Sequence, residues 1–222
     1  MITISFVWLI LSHMTVIFPI YIGLLNNKRR WLPSIITLVI TAIFSSIYHW
    51  ADQKNYNRED FELFGEKHIV YAQMDFFCSY LSIFLIVFYT INSLKKPKHL
   101  DVSLILIVLI CALVSYINCS WYSFMLIIIL FSLIYLKITK GTKIKDILIN
   151  IKKNKTLSIF CITSLAISII MQYYLAIKEN GLYYHIYHGF WHFFMFLTSG
   201  LSILWNEKMR NTDKEINMCF NV

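Results

Sequence analysis

The chain has 222 residues, of which 58% are hydrophobic and only 14% are charged, and its formal net charge is +8. Apolar runs long enough to cross a bilayer recur along its length, which excludes a soluble domain and predicts a polytopic helical membrane protein. The basic residues lie in short loops between these runs, so the charge does not indicate nucleic-acid binding. The 5 cysteines are scattered, which argues against a disulfide framework or a zinc ribbon.

Seven apolar segments are predicted to be membrane-spanning helices. In chain order they cover approximately residues 1–25, 31–50, 68–94, 102–118, 120–136, 157–177 and 184–205. The predicted fold is therefore all-α, with a seven-helix transmembrane domain over residues 1–205 and a tail over residues 206–222. The first segment lacks the charged start and the cleavage site of a signal peptide, so we expect it to be retained.

The segments between the predicted spans differ in character. Residues 26–30 are expected to form a short loop, and residues 51–67 a polar, mostly acidic one. Residues 137–155 are basic with apolar residues at helical spacing, which predicts an amphipathic helix on an anionic leaflet. Within the first span, His13 and Pro19 are expected to be a buried hydrogen-bonding side chain and a local kink.

The basic loops predict the orientation of the chain. When loops are assigned to alternate sides, 16 of the 20 basic residues fall on one side, and Lys54, Arg58, Lys67 and Lys178 on the other. Positively charged loops of membrane proteins stay in the cytoplasm. We therefore expect an N-terminus outside and a C-terminus in the cytoplasm.

The last predicted span contains His188 and His192, which are four residues apart and therefore share one face of a helix. This spacing suits one metal ion, although two ligands do not hold zinc by themselves. Alternatively, histidine, tyrosine and tryptophan gather at a membrane interface because their rings are amphipathic. His185 lies off the shared face and is not expected to bind metal.

Three other polar residues are predicted at the same depth. Ser45 and His49 end the second span, and Asp75 is the only acidic residue within the hydrophobic part of a predicted span. An intramembrane carboxylate is costly, so it is functional or paired by default. With the predicted orientation, all of these residues lie within about three helical turns of the outer surface.

This set of residues predicts a zinc site. His49, His188 and His192 would supply three imidazoles and leave a fourth position for water, as in a catalytic-type zinc site. Asp75 could hold that water or act as its base, and Ser45 could add a hydrogen bond.

The pattern Ser45-x-x-x-His49, Asp75 and His188-x-x-x-His192 resembles the signature of the CREST superfamily of seven-span proteins, which includes alkaline ceramidases and the progestin and adipoQ receptors. Within it, the orientation, the Lys28-Arg29-Arg30 loop and the His-Gly-Phe-Trp-His motif are most similar to the myomaker family, whose members drive myoblast fusion. The resemblance implies a multi-pass protein of the plasma membrane, with a Golgi pool as a second location.

The resemblance implies cell–cell fusion rather than enzymatic activity. Its implied partners are membrane lipids, a second copy in a homodimer, and fusion proteins on the same or the apposed cell. The alternative is a zinc-dependent intramembrane lipid hydrolase, a ceramidase-like amidase or esterase, with Asp75 and Ser45 as catalytic residues. A ligand receptor has no specific support beyond the superfamily.

The tail departs from the myomaker pattern. Myomaker proteins end in a cysteine-rich, acylated tail, whereas this tail contains only Cys219. The ending Cys219-Phe220-Asn221-Val222 has the outline of a prenylation box, but Asn221 is a poor aliphatic substitute, which favours palmitoylation of Cys219. An unmodified thiol remains the alternative.

Overall fold

The computed structural model describes residues 4–54, 62–63, 66–92, 144–172 and 182–220, and the single positions 110, 113 and 130. Its helices are α1 (Ile4–Ser12), α2 (Ile17–Lys54), α3 (His68–Asn92), α4 (Ile144–Lys153), α5 (Lys155–Ile170) and α6 (Leu182–Phe220). A 3-10 turn (His13–Val16) joins α1 to α2, and β1 (Glu62–Leu63) pairs antiparallel with β2 (Glu66–Lys67). This part of the chain is thus helical, with one short hairpin inside the predicted acidic loop.

Three helical stretches are long and apolar enough to cross a membrane: Phe6–Asn26, Arg30–Trp50 and Ile69–Ile86. They match the first three predicted spans. Among the described helices, α5 is apolar but shorter than a membrane span. Helix α6 is not among the candidates, because the histidine, tyrosine and tryptophan residues in its first half lower its mean hydropathy. The fourth and fifth predicted spans, residues 102–118 and 120–136, lie outside the described residues except for the three single positions.

The predicted loop over residues 26–30 is wrong in conformation, because the backbone of α2 stays helical through it. The chain nevertheless reverses there. A Cβ atom added to Gly23 would lie 2.7 Å from the Ile35 side chain, whereas twelve residues of straight helix would separate the two positions by about 18 Å. Lysine and arginine are good helix formers, which is consistent with the helical backbone at residues 28–30.

A distortion of the first span occurs before Pro19. Proline has no backbone N–H, so the carbonyl of Thr15, four residues earlier, has no helical donor. The chain tightens into the 3-10 turn at this point, and the hydroxyls of Ser12 and Thr15 donate to the carbonyls of Leu9 and Ser12. The local kink expected at Pro19 therefore takes the form of a 3-10 turn that begins at His13.

The basic connector contains α4, which covers the apolar residues that predicted an amphipathic helix. The following helix, α5, packs on α6 through hydroxyl groups. Ser158 Oγ accepts a hydrogen bond from Trp205 Nε1 at 2.8 Å, and Ser164 Oγ accepts one from Thr198 Oγ1 at 2.9 Å. Such interhelical hydrogen bonds contribute about 0.6–2 kcal/mol each within a membrane. They align α5 with α6 and bring the end of α5 close to His188.

Helix α6 continues past the predicted end of the last span at Trp205 and runs to Phe220. Asn206, Glu207 and Met209 are buried rather than solvated. Glu207 Oε1 accepts a hydrogen bond of 2.8 Å from the indole of Trp31, which is itself fully buried. The first residues after the predicted boundary therefore pack against the start of the second span.

Candidate metal centre

Four histidines from three parts of the chain converge in the interior of the helix bundle. His49 comes from α2, His188 and His192 from α6, and His13 from the 3-10 turn, and all four are buried. The Nε2 atom of His49 lies 3.1 Å from Nε2 of His188 and 3.3 Å from Nε2 of His192. The rings of His13 and His192 are 4.0 Å apart between centroids. We call these four residues the histidine cluster.

Two nitrogen–nitrogen distances in the cluster fit a tetrahedral metal ion. Two Zn–N bonds of about 2.0–2.1 Å at the tetrahedral angle separate their nitrogens by roughly 3.3 Å. The two Nε2–Nε2 distances from His49, 3.1 and 3.3 Å, match this value. Because His49 Nε2 carries at most one hydrogen, it can donate to only one of its two neighbours. A cation among the three nitrogens would satisfy all of their lone pairs.

The hydrogen bond made by the second ring nitrogen of His188 determines the tautomer of this residue. His188 Nδ1 lies 2.8 Å from Oε1 of Gln172, an amide oxygen that only accepts hydrogen bonds. Nδ1 therefore carries the proton, and Nε2 presents its lone pair to the cluster, as in histidines that bind metal. Gln172 lies in a single π-helical turn at the end of α5. Sequence reasoning missed it, although an amide within an apolar span is a signal that could have been followed.

His13 is the buried hydrogen-bonding side chain that the sequence predicted, and it also belongs to the cluster, which the sequence did not indicate. One ring nitrogen from each of His13, His49 and His192 lies within 4.8 Å of the other two, which makes these three a group that could bind a metal. No local sequence pattern identified His13 as a member, because its neighbours in the cluster are distant along the chain. The feature that could have identified His13 as a site residue is its position inside an apolar span.

Gly189 explains how α1 approaches α6 closely enough for this contact. A Cβ atom at Gly189 would lie 2.5 Å from Trp8 Nε1 and 3.3 Å from Leu9 Cα. Trp8 Nε1 donates a hydrogen bond of 3.2 Å to the carbonyl of Ile186 on the same face of α6. A side chain at position 189 would push α1 away, so the glycine between His188 and His192 allows His13 to reach the cluster.

Asp75 and Ser45 lie beside the cluster. Asp75 is buried on α3 and accepts hydrogen bonds from Ser45 and from Ser79, the latter at 3.4 Å. Ser45 Oγ is also 3.5 Å from Nε2 of His192. The serine thus stands between the carboxylate and the imidazoles, as expected for groups around a metal site.

A small cavity of about 30 Å³ adjoins His192 between α2, α3 and α6. By volume it can hold about two water molecules. Hydroxyl and apolar side chains both line it, including Thr41, Ser79, Ser82 and Met195. The cluster therefore has a small, mainly apolar cavity beside it on the side of α3.

Two other sequence predictions concern residues away from the cluster. The ring of His185 packs edge-on against Phe6, with centroids 6.0 Å apart, and His185 does not belong to the metal-binding group found among the described residues. Cys219 falls near the end of α6, and its side chain lies outside the described part of the structure.

One protein-family model matches most of the chain. The model of a family described as a protein of unknown function, DUF3522, matches residues 1–193. The chain belongs to the DUF3522 family. The matched region of this DUF3522 protein includes the whole histidine cluster, Ser45 and Asp75, while Cys219 lies beyond it. No curated protein and no solved structure gives a significant match.

Proposed function

We propose that this DUF3522 protein is a seven-span membrane protein whose histidine cluster binds one zinc ion, and that the zinc-stabilised bundle promotes cell–cell fusion. One observation supports the zinc site above all: the Nε2 atoms of His49, His188 and His192 converge at distances of 3.1 and 3.3 Å. The fusion role rests on the resemblance of these residues and their topology to the myomaker family.

The chemistry of the donors favours zinc. Imidazole nitrogens suit zinc, copper, iron and nickel, whereas magnesium and calcium require oxygen ligands. Zinc has no redox chemistry and accepts a tetrahedral set of nitrogens. A buried set of imidazoles with one tautomer fixed by Gln172 provides such a set.

The position of the cluster supports a structural role. Its members connect the 3-10 turn, α2 and α6, and Gln172 adds the end of α5 through its hydrogen bond to His188. His13, His49 and the two histidines of α6 are far apart along the chain, so an ion held among them would cross-link the bundle. A fusion factor needs such a bundle in order to reach the cell surface and present itself to the outer leaflet.

The second candidate function is a lipid hydrolase that cleaves an amide or ester, and the arrangement of Asp75, Ser45 and His192 favours it. Zinc, when bound, supplies a water activated near neutral pH. Asp75 would orient a water or accept its proton, and Ser45 would hold the carboxylate in position. The cavity beside His192 offers space for water on this side.

A cell-mixing assay tests the fusion role. Cells that do not normally fuse should become able to join fusing partners when they express the wild-type protein. His188→Ala should impair mixing, because it removes both a proposed ligand and the contact with Gln172. His185→Ala, outside the cluster, should retain it. Wild-type protein that reaches the surface at a normal level without producing any mixing would refute this function.

The proposed orientation has its own test. Because most basic residues fall on one side of the predicted spans, an antibody should reach an N-terminal tag on intact cells. A tag after Val222 should be reached only after permeabilisation. The opposite staining pattern would show that the orientation is inverted and that the cluster lies in the inner half of the membrane.

A further inference from the structure

We infer that His13 is a fourth protein ligand, so that four imidazoles close the coordination sphere of the ion. This inference rests on the proposed zinc site and goes beyond its three predicted ligands. A closed site has no exchangeable position for water or substrate. His13 would therefore decide which of the two candidate functions the site can support.

The hydrogen bonding of His13 leaves one nitrogen available to a metal. Nδ1 lies 2.9 Å from the carbonyl oxygen of Leu9, which can only accept, so Nδ1 carries the proton. Nε2 is then the nitrogen with the free lone pair. This is the arrangement of a metal-binding histidine whose other nitrogen donates to a backbone carbonyl.

No residue in the described part of the chain satisfies Nε2 of His13. The residue is only 3% exposed, and Nε2 is buried with no hydrogen-bond partner among the described residues. A buried polar atom without a partner is energetically unfavourable. A histidine serving only to fill the core would not need to retain that cost, whereas coordination of an ion removes it.

The distances place His13 within reach of the ion. Its ligand nitrogen lies within 4.8 Å of those of His49 and His192. A tetrahedral pair requires roughly 3.3 Å, so the pairs that His13 forms with His49 and His192 must each close by at most about 1.5 Å. The ring already faces His192, with 4.0 Å between centroids.

Charge balance gives Asp75 a second role in this arrangement. Four neutral imidazoles leave the double positive charge of zinc uncompensated in a buried site, which is unfavourable. Asp75 is buried and connected to the cluster through Ser45, which touches both the carboxylate and His192. The carboxylate can therefore offset the charge of the ion without binding it.

Cobalt substitution tests the inference. Detergent-purified protein is loaded with Co²⁺, and its visible absorption spectrum is recorded with and without sodium azide. Azide binds to cobalt that has an exchangeable position. We expect the wild-type spectrum to show tetrahedral bands that azide leaves unchanged. His13→Ala should still take up cobalt through its three other histidines, and azide should shift its bands. His185→Ala should behave as wild type.

The possible results distinguish failure of the His13 assignment from failure of the metal site as a whole. If the wild-type protein binds one cobalt ion and azide shifts its bands as in His13→Ala, the inference is wrong while the metal site stands. If the wild-type protein takes up no cobalt or zinc, the proposed site fails and the inference fails with it. The wild-type azide result decides the question even if His13→Ala does not fold.

Discussion

Removal of zinc is expected to lower the melting temperature of the detergent-purified protein by roughly 8–16 °C. A ligand present at about 1,000 times its Kd stabilises the folded state by about 4 kcal/mol. For a protein of this size, each kcal/mol of stability corresponds to about 2–4 °C in melting temperature. The physical reason is that the proposed ion would join His49, His188 and His192 across two helices. Scanning fluorimetry with a chelator, followed by return of zinc, measures the loss and its recovery.

Two variants serve as references in this experiment. His185→Ala should contain about one zinc per chain and lose stability on chelation as the wild type does. His188→Ala retains His13, His49 and His192 but loses the ligand that Gln172 orients, so it should contain clearly less zinc than the wild type by elemental analysis, melt lower from the start and respond less to chelator. Full zinc occupancy in His188→Ala, or complete removal of zinc from the wild type with no change in melting, would contradict the proposed site.

Asp75→Asn is expected to separate the two candidate functions. For a hydrolase the substitution preserves shape but removes the basic carboxylate, so the rate should fall at least about a hundredfold while zinc remains bound. For a fusion factor, the asparagine can still accept the hydrogen bonds that Asp75 receives from Ser45 and Ser79. We therefore expect Asp75→Asn to reach the surface, retain zinc and support most of the wild-type cell mixing.

The comparison with His188→Ala makes this result interpretable, because loss of that histidine should impair folding and fusion together. Surface display and zinc content must be measured in both variants. If Asp75→Asn is displayed with zinc bound yet abolishes mixing as completely as His188→Ala, chemistry at the site becomes the better explanation. The hydrolase would then replace the structural role as the preferred function.

Local sequence was sufficient for much of the helical architecture. The apolar run that predicted the third span corresponds to α3 (His68–Asn92), and the apolar spacing in the basic connector corresponds to α4 (Ile144–Lys153). The four-residue spacing of His188 and His192 placed both on one face of α6. These features depend on hydropathy and helical period, which neighbouring residues determine together.

The backbone between the first two spans was predicted less well. Residues 26–30 keep helical backbone where a loop was expected, and the chain reversal there brings Gly23 against Ile35. The contact between Glu207 and the buried indole of Trp31 was likewise not predicted. Both contacts depend on partners that no local pattern identifies.

The sequence by itself determined which residues are chemically suited to a metal site: two histidines on one helix face, His49 at the end of a span and a carboxylate inside another. Only the tertiary structure decided that His13 and Gln172 join them. His13 meets His192 because α1 approaches α6 closely at Gly189, and Gln172 meets His188 because α5 packs along α6. Helical period fixes positions along one helix, whereas contacts between helices depend on their rotation and separation, which arise from the packing of the whole bundle.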